Sequence, residues 1–302
     1  MTAPTPSIPL FDRLVIIGPG LIGSSILRRA HENRAIAREL VASDIDAGVC
    51  ARVRELGIAD RVEVDPARAV VDADCVILCV PVGAIGAVAA QVVPAMKHGA
   101  ILSEVGSTKV SVINGVLPAL ASRPDIAFVP SHPMAGTEYS GPDAGFPSLF
   151  ENRWCLLTPP EGTSPDAVAR ITALWQAMGA HIRTMTAEHH DRVCAIVSHL
   201  PHLLAFTICG TADDLAGETR SEVLDFAASG FRDFTRIAAS DPTMWRDIFL
   251  NNREALLEML DRFMADAHAM ARAIREGDDT VIVNRITRGR AIRRTLIENR
   301  QA

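Results

Sequence analysis

Four polar segments carry side chains suited to chemistry rather than to core building. They are Glu104-Val105-Gly106-Ser107-Thr108-Lys109, Ser131-His132-Pro133-Met134-Ala135-Gly136-Thr137-Glu138, Ser198-His199-Leu200-Pro201-His202 and Gly230-Phe231-Arg232-Asp233-Phe234-Thr235-Arg236-Ile237-Ala238. Between them they offer imidazoles, which exchange protons near neutral pH, and guanidinium groups, which pair with carboxylates through two charge-assisted hydrogen bonds. A metal-based chemistry is not indicated. The chain has no H-E-x-x-H, no C-x-x-C and no dense carboxylate cluster. His189, His190 and Asp191 are consecutive on an expected helix and so point to different faces, which leaves Asp191 as a structural or pocket-edge group.

A glycine pattern adds a cofactor. Gly18-Pro19-Gly20-Leu21-Ile22-Gly23 directly follows the apolar strand Leu14-Ile17 and opens a helix over Leu21-Ala30. In that context Gly18 permits a tight turn, Gly20 lets backbone approach a pyrophosphate, and Gly23 lets helix and strand pack closely, with the helix N-terminus turned to the phosphates. Asp44 ends the second strand, where a carboxylate accepts hydrogen bonds from ribose hydroxyls and repels a 2'-phosphate. No arginine follows among Ile45, Asp46 and Ala47, which favours NAD over NADP. The strand ending Cys79-Val80-Pro81 reaches the same crevice, where Val80 and Pro81 would flank a nicotinamide riboside.

The elements that must position these groups alternate in the first half of the chain. Leu14-Ile17, Leu40-Ser43, Cys75-Val80, Ala100-Glu104 and Ile126-Pro130 read as strands separated by helices, followed by strands Trp154-Thr158 and His181-Met185 around a helix Asp166-Met178. The fold class expected is α/β, a Rossmann-type doubly wound and mostly parallel sheet over residues 1–185. From Thr186 onward only helical patterns remain, at Ala187-Gly210, Arg220-Ala227, Thr243-Glu276 and Asp279-Glu298, so residues 186–302 should form an all-helical domain. Pro201 should bend the first of these helices and open a turn around His199 and His202. Apolar residues on more than one face, among them Trp245, Ile248, Phe249, Leu256 and Phe263, call for a partner chain, and a homodimer is expected.

Composition agrees with a soluble, cytoplasmic protein. The chain has 302 residues, 48% hydrophobic and 22% charged, with no run of 18 apolar residues and no basic-then-apolar N-terminus of the signal type. A net charge of −6 argues against a nucleic-acid surface, and the local run Arg285, Arg288, Arg290, Arg293, Arg294 reads as a solvated helix face. The six cysteines are scattered in apolar runs and read as reduced core residues.

Taken in this order after a dinucleotide fingerprint, HPMAGTE, SHLPH and FRDFTRIAASDPTMW resemble the prephenate/arogenate dehydrogenase family over about residues 13 to 295. The resemblance implies a Rossmann-type domain followed by a helical dimerisation domain, and NAD-dependent oxidative decarboxylation of a cyclohexadienyl acid. It places the catalytic base on His132, where a neutral imidazole accepts the ring hydroxyl proton as hydride leaves. It places beside it Ser107, which would orient the imidazole by a hydrogen bond. Arg236 falls on the arginine that pairs with a substrate carboxylate. Thr137 and Glu138 would shape or gate the pocket, His202 more than His199 would contact substrate, Asp233 would orient Arg236 or a histidine, and Trp245 would close the pocket. Glu104 departs from the aspartate many members carry, which bears on the Ser107 loop.

Two other readings compete with this one. A β-hydroxyacid dehydrogenase needs a lysine on the first long helix of the second domain, and the last lysine of this chain is Lys109. A non-catalytic NAD-binding regulator would not need His132, Ser107 and Arg236 together. No regulatory module is expected after the helical domain and no mutase segment before the fingerprint, so a monofunctional enzyme is expected. No residue decides between prephenate and arogenate.

Overall fold

Strand β1 (Phe11–Ile17) lies inside the sheet between the strands Ala37–Ser43 and Cys75–Leu78, and its alternation shows why. Leu14 and Ile16 face one hydrophobic cluster with Leu27, Leu40 and Trp175, while Val15 and Ile17 face another with Val76, Leu78 and Val116. A strand buried on both faces belongs in a parallel sheet covered by helices on each side. The computed structural model describes residues 8–137, 139–214 and 226–298.

The sheet has eight strands in the order β3-β2-β1-β4-β5-β6-β7-β8. The others are β2 (Ala37–Ser43), β3 (Arg61–Glu63), β4 (Cys75–Leu78), β5 (Ile101–Glu104), β6 (Ala127–Pro133), β7 (Trp154–Leu157) and β8 (His181–Thr184). All pair in parallel except β6 with β7. Helices α1 (Leu21–Glu32), α2 (Ala47–Leu56), α3 (Pro66–Ala69), α4 (Val82–Val92), α5 (Val110–Leu120) and α6 (Pro165–Ala177) complete this part. Strand order reverses beside β1, between β2 and β4, and ligands of open α/β sheets bind at such a switch point.

Helices alone follow: α7 (Ala187–Cys194), a π-helical turn (Ala195–His199), α8 (Leu200–Asp214), α9 (Ser229–Thr235), a 3-10 turn (Arg236–Ala239), α10 (Pro242–Asn251), α11 (Arg253–Glu276) and α12 (Asp279–Glu298). Contacts divide the chain into two compact units, Met1–Arg253 and Glu254–Ala302. Helices α7 to α10 therefore belong to the unit that holds the sheet. Taken together, Ala187–Asp214 is long and apolar enough, by length and composition, to cross a bilayer. Its residues His190, Asp191 and Cys194 are instead buried.

Four sequence expectations change. The short strand β3 is only three residues long, with a single apolar side chain, Val62, and none of the three buried, too little signal for a strand reading. Strand β6 does not stop at Pro130: residues 127–130 pair with β5 and residues 131–133 pair antiparallel with β7, so His132 lies inside a strand. The helix expected over Thr243-Glu276 breaks at Asn252, whose Nδ2 donates to the Asp191 carbonyl (2.9 Å) and to His199 Nδ1 (3.0 Å). The bend expected at Pro201 is taken up by the π-helical turn before it, a common way to re-aim a helix at a functional site. Most of the helix expected at Arg220-Ala227, and Glu138, lie outside the described residues.

Candidate active site

The glycine turn meets its steric demands at two positions. Gly18 sits at φ +82°, and a Cβ there would come within 2.9 Å of Val80 Cγ1 and 3.0 Å of the Cys79 carbonyl. Gly23 would collide with the Gly18 carbonyl at 2.7 Å. A Cβ on Gly20, by contrast, would meet nothing within 4 Å, and Gly20 gives α1 no side-chain cap. The first amides of α1 thus lack a side-chain acceptor, next to open space bounded by bare backbone. Leu21 and Ile22 are half-buried behind them. Asp44 leaves β2 half-buried, and burial raises its carboxyl pKa above the usual aspartate value, partly offset by the Asp46 amide donating to it at 2.9 Å. Pro81 stands before α4 at the end of β4. Glycine turn, open helix end and strand-end carboxylate fit a dinucleotide.

The loop after β6 packs onto the same helix: the Phe146 amide donates to Ser25 Oγ (3.1 Å), and Gly145 approaches Ser24 so closely that a Cβ would overlap it. His132, on β6 just before this loop, is buried with 7% exposure.

Around His132 lies a buried polar chain. His132 Nδ1 is 2.8 Å from His190 Nε2, and His190 Nδ1 is 2.8 Å from Asp191 Oδ1. The Asp191 carboxylate also accepts the backbone amides of Lys109 (2.8 Å) and Val110 (2.9 Å), closing the N-terminus of α5. A carboxylate only accepts, so His190 Nδ1 must carry the proton and its Nε2 the lone pair. His132 Nδ1 then donates, which leaves the lone pair of His132 on Nε2, an atom with no hydrogen bond among the described residues. Burial first, then His190, Lys109 and His199, hold the His132 pKa well below its usual value, so the ring is neutral. Burial likewise lowers His190, against the opposing bond to Asp191. Cys194, one turn after His190, places Sγ 3.4 Å from His190 Nε2. Burial pushes its thiol up to about 12.

A second buried pair supports the loop between β5 and α5. Lys109 Nζ pairs with Glu104 and donates to the Ser131 carbonyl (2.6 Å), with both charged side chains fully buried. Glu104 also accepts from the Gly106 amide at 2.7 Å, and its pKa is raised by burial against the opposing effect of Lys109. The longer acid at this position thus reaches the lysine while still holding the loop.

The hydrogen bond expected from Ser107 to His132 is not made: Ser107 is half-buried with no side-chain bond, and His190 takes the place assigned to it. His199 is buried rather than exposed at an open turn, accepts from Asn252 and has its pKa lowered to about 4, mainly by burial. His202 is half-buried, its Nδ1 bonded to the Ser198 carbonyl (2.9 Å) and its ring stacked on Trp245 at 3.7 Å. The Trp245 Nε1 donor is buried with no acceptor. Arg236 is exposed, and its charge lowers the His202 pKa after the larger effect of burial. Asp233 is exposed with no bond to Arg236 or to a histidine. Thr137 is exposed and accepts from the Tyr139 amide at 3.3 Å.

Sequence reasoning missed His190 and Asp191 as the chain behind the candidate base, and Lys109 as the buried partner of Glu104. The rule that consecutive helix residues diverge holds for exposed His189 and buried His190, yet it hid the fact that His190 turns toward His132. A histidine-aspartate pair at the start of an apolar helix was the available signal.

Fold and site define a dinucleotide-binding α/β protein with a helical C-terminal part and a buried imidazole just past the carboxyl end of the parallel stretch of β6. Family models match almost end to end: prephenate dehydrogenase, nucleotide-binding domain, over residues 26–184, and prephenate dehydrogenase, dimerization domain, over residues 186–287. The chain belongs to the prephenate dehydrogenase family. It is 44% identical over 271 residues to the cyclohexadienyl dehydrogenase of Zymomonas mobilis, covering 89% of this chain and 90% of that protein. It is 32% identical to the prephenate dehydrogenase of Bacillus subtilis over 88% of this chain and 71% of that one. Among solved structures, the prephenate dehydrogenase of A. aeolicus in complex with hydroxyphenyl propionate and NAD+ superposes with TM-score 0.85 at 28% identity, covering 95% of this chain and 98% of that one.

Proposed function

We propose that this protein catalyses the NAD-dependent oxidative decarboxylation of a cyclohexadienyl acid, prephenate, arogenate or both, to 4-hydroxyphenylpyruvate or tyrosine. The observation that carries this reading is His132: a neutral buried imidazole whose tautomer is set by His190 and Asp191, in a chain of the prephenate dehydrogenase family.

In this mechanism NAD, when bound, takes up the hydride. The glycine turn Gly18-Gly20-Gly23, with Leu21 and Ile22, would hold the pyrophosphate at the α1 N-terminus, Asp44 would accept hydrogen bonds from the ribose hydroxyls, and Val80 and Pro81 would border the nicotinamide end. His132 Nε2 accepts the proton of the ring hydroxyl as the carbonyl develops, and the proton already on Nδ1 stays bonded to His190. His190 and Asp191 stabilise the imidazolium so formed. Loss of the ring carboxylate as carbon dioxide then leaves its electron pair in the ring, and the ring oxygen takes back the proton from His132 Nε2 to give the aromatic phenol and restore the neutral imidazole; aromatisation makes the step favourable. Arg236 pairs with a substrate carboxylate, and His202 and the unpaired Trp245 Nε1 face the side chain, with Thr137 and Glu138 at the rim. Ser107 binds substrate rather than orienting His132, and His199 and Asp233 support the site from behind and from its edge.

Residues 186–302 serve as the substrate and dimerisation domain, and the protein works as a cytoplasmic homodimer. Supporting the dimer, Leu257, Phe263, Ile274, Val283, Ile286 and Ile292 on α11 and α12 are exposed, which is costly in water for helices without a partner. The test is NADH formation by purified protein offered prephenate and arogenate separately, with His132→Asn in parallel. Turnover lost by about 100-fold or more in the variant is the expected result. No turnover of either acid overturns the reading.

A further inference from the structure

The pair His132 and His190 has a third donor beside it that the reaction does not use. Cys194 Sγ lies 3.4 Å from His190 Nε2 and 3.7 Å from His132 Nδ1, and the three donor atoms lie within 4.8 Å of one another. All three residues are buried. His190 and Cys194 are four residues apart on α7 and so share one face, while His132 arrives from β6.

We propose that His132, His190 and Cys194 form a binding site for Zn2+, and that its occupation switches the enzyme off by capturing the imidazole that accepts the substrate proton. The inhibition, though not the binding, rests on the role given to His132 above.

The spacing is close to what the ion requires. Zinc bound tetrahedrally by nitrogen and thiolate places neighbouring donors about 3.3 Å apart for two nitrogens and about 3.5 Å for nitrogen and sulfur. The corresponding separations are 2.8 Å for the two nitrogens and 3.4 and 3.7 Å for nitrogen and sulfur. A ring tilt of about half an ångström opens the hydrogen-bonded pair into a chelate with a fourth position left for water. Two imidazoles and a thiolate suit zinc and disfavour the hard cations Mg2+ and Ca2+.

Protons balance without a redox step. His190 Nε2 already bears a lone pair and binds directly. His132 Nδ1 binds after its proton shifts to Nε2, so the ring stays neutral but can no longer accept a proton from substrate. The Cys194 thiol loses its proton to solvent, displaced by the ion, and one proton is released per ion bound.

Co2+ is the probe. Titration of metal-free protein is expected to give, at one equivalent, the visible absorption of a four-coordinate ion and a thiolate-to-cobalt charge-transfer band in the near ultraviolet. Cys194→Ser should lose the charge-transfer band. Zn2+ should abolish turnover of the native enzyme, a chelator should restore it, and Mg2+ should have no effect. The absence of a thiolate band in native protein, or its persistence in Cys194→Ser, overturns the site, and if Cys194→Ser does not fold the native spectrum decides alone. A thiolate band with undiminished turnover in Zn2+ overturns the switch. The cobalt spectrum from protein that turns over neither acid would uphold the site and overturn the function instead.

Discussion

The imidazoles of His132 and His190 meet Nδ1 to Nε2 at 2.8 Å, with their planes inclined by 58°. Because Asp191 fixes the proton on the far side of His190, the near side can only accept, and the lone pair of His132 is turned outward on Nε2. His190 is therefore a positioning residue. His190→Ala should lower kcat by about 10-fold or more with KM changed less, while His190→Gln, whose amide oxygen can still accept from Nδ1, should recover part of the loss. Equal kinetics for the two variants would count against the relay.

The low pKa of His132 sets a pH signature. Only the neutral ring accepts a proton, and burial, with His190 next, keeps it neutral below its usual 6.5. As pH falls, activity should persist past 6.5 and be lost only at lower values, when the ring finally protonates. A profile of kcat/KM against pH, which reports the free enzyme, checks this, and an acid limb at or above 6.5 contradicts it.

Glu104 and Lys109 are both fully buried, so each is the other's compensation. Replacing one partner leaves an isolated buried charge, and Lys109→Met should cost about 3–5 kcal/mol in denaturant unfolding. Adding Glu104→Gln to Lys109→Met should return part of that stability. Strict additivity of the two changes would show that the pair is not coupled.

Arg236 is exposed and has no acidic partner among the described residues that would hold it away from an anion. Arg236→Ala should raise the KM for the cyclohexadienyl acid by about 10-fold or more, with kcat less affected, because a carboxylate clamp binds ground and transition states alike. Steady-state kinetics at saturating NAD would show it, and an unchanged KM would remove Arg236 from the site.

Asp44 stands half-buried at the end of β2. Asp44→Ala should weaken NAD and narrow its advantage over NADP, since the carboxylate both accepts the ribose hydroxyls and repels a 2'-phosphate. Comparing kcat/KM for the two cofactors in native and variant protein checks this, and an unaltered ratio would count against it.

Much of the fold was legible because it rests on local signals. Buried strands such as Leu14–Ile17 announce themselves as apolar runs, Gly18 is needed where φ is +82°, and the loss of strand patterns after Thr186 marks the change to helices. His132 was legible too, through the motif around it. What sequence could not reach were relationships set by packing between distant segments. Strand β6 changes partner in mid-course, so that His132 lies within the sheet, and this depends on β7 arriving antiparallel. The Ser107 expectation failed because α7, which follows β8 in the chain, carries His190 and Asp191 back to β6 and α5. Asn252 broke an expected helix because a buried donor there finds acceptors on α7 and on the π-helical turn. By itself the sequence determined most of the sheet and the glycine turn and pointed to His132 as the proposed base, since periodicity, glycine sterics and motif are written locally. Only the tertiary structure decided which nitrogen of that base carries the lone pair, because the hydrogen bonds that set it come from residues 58 positions and more away.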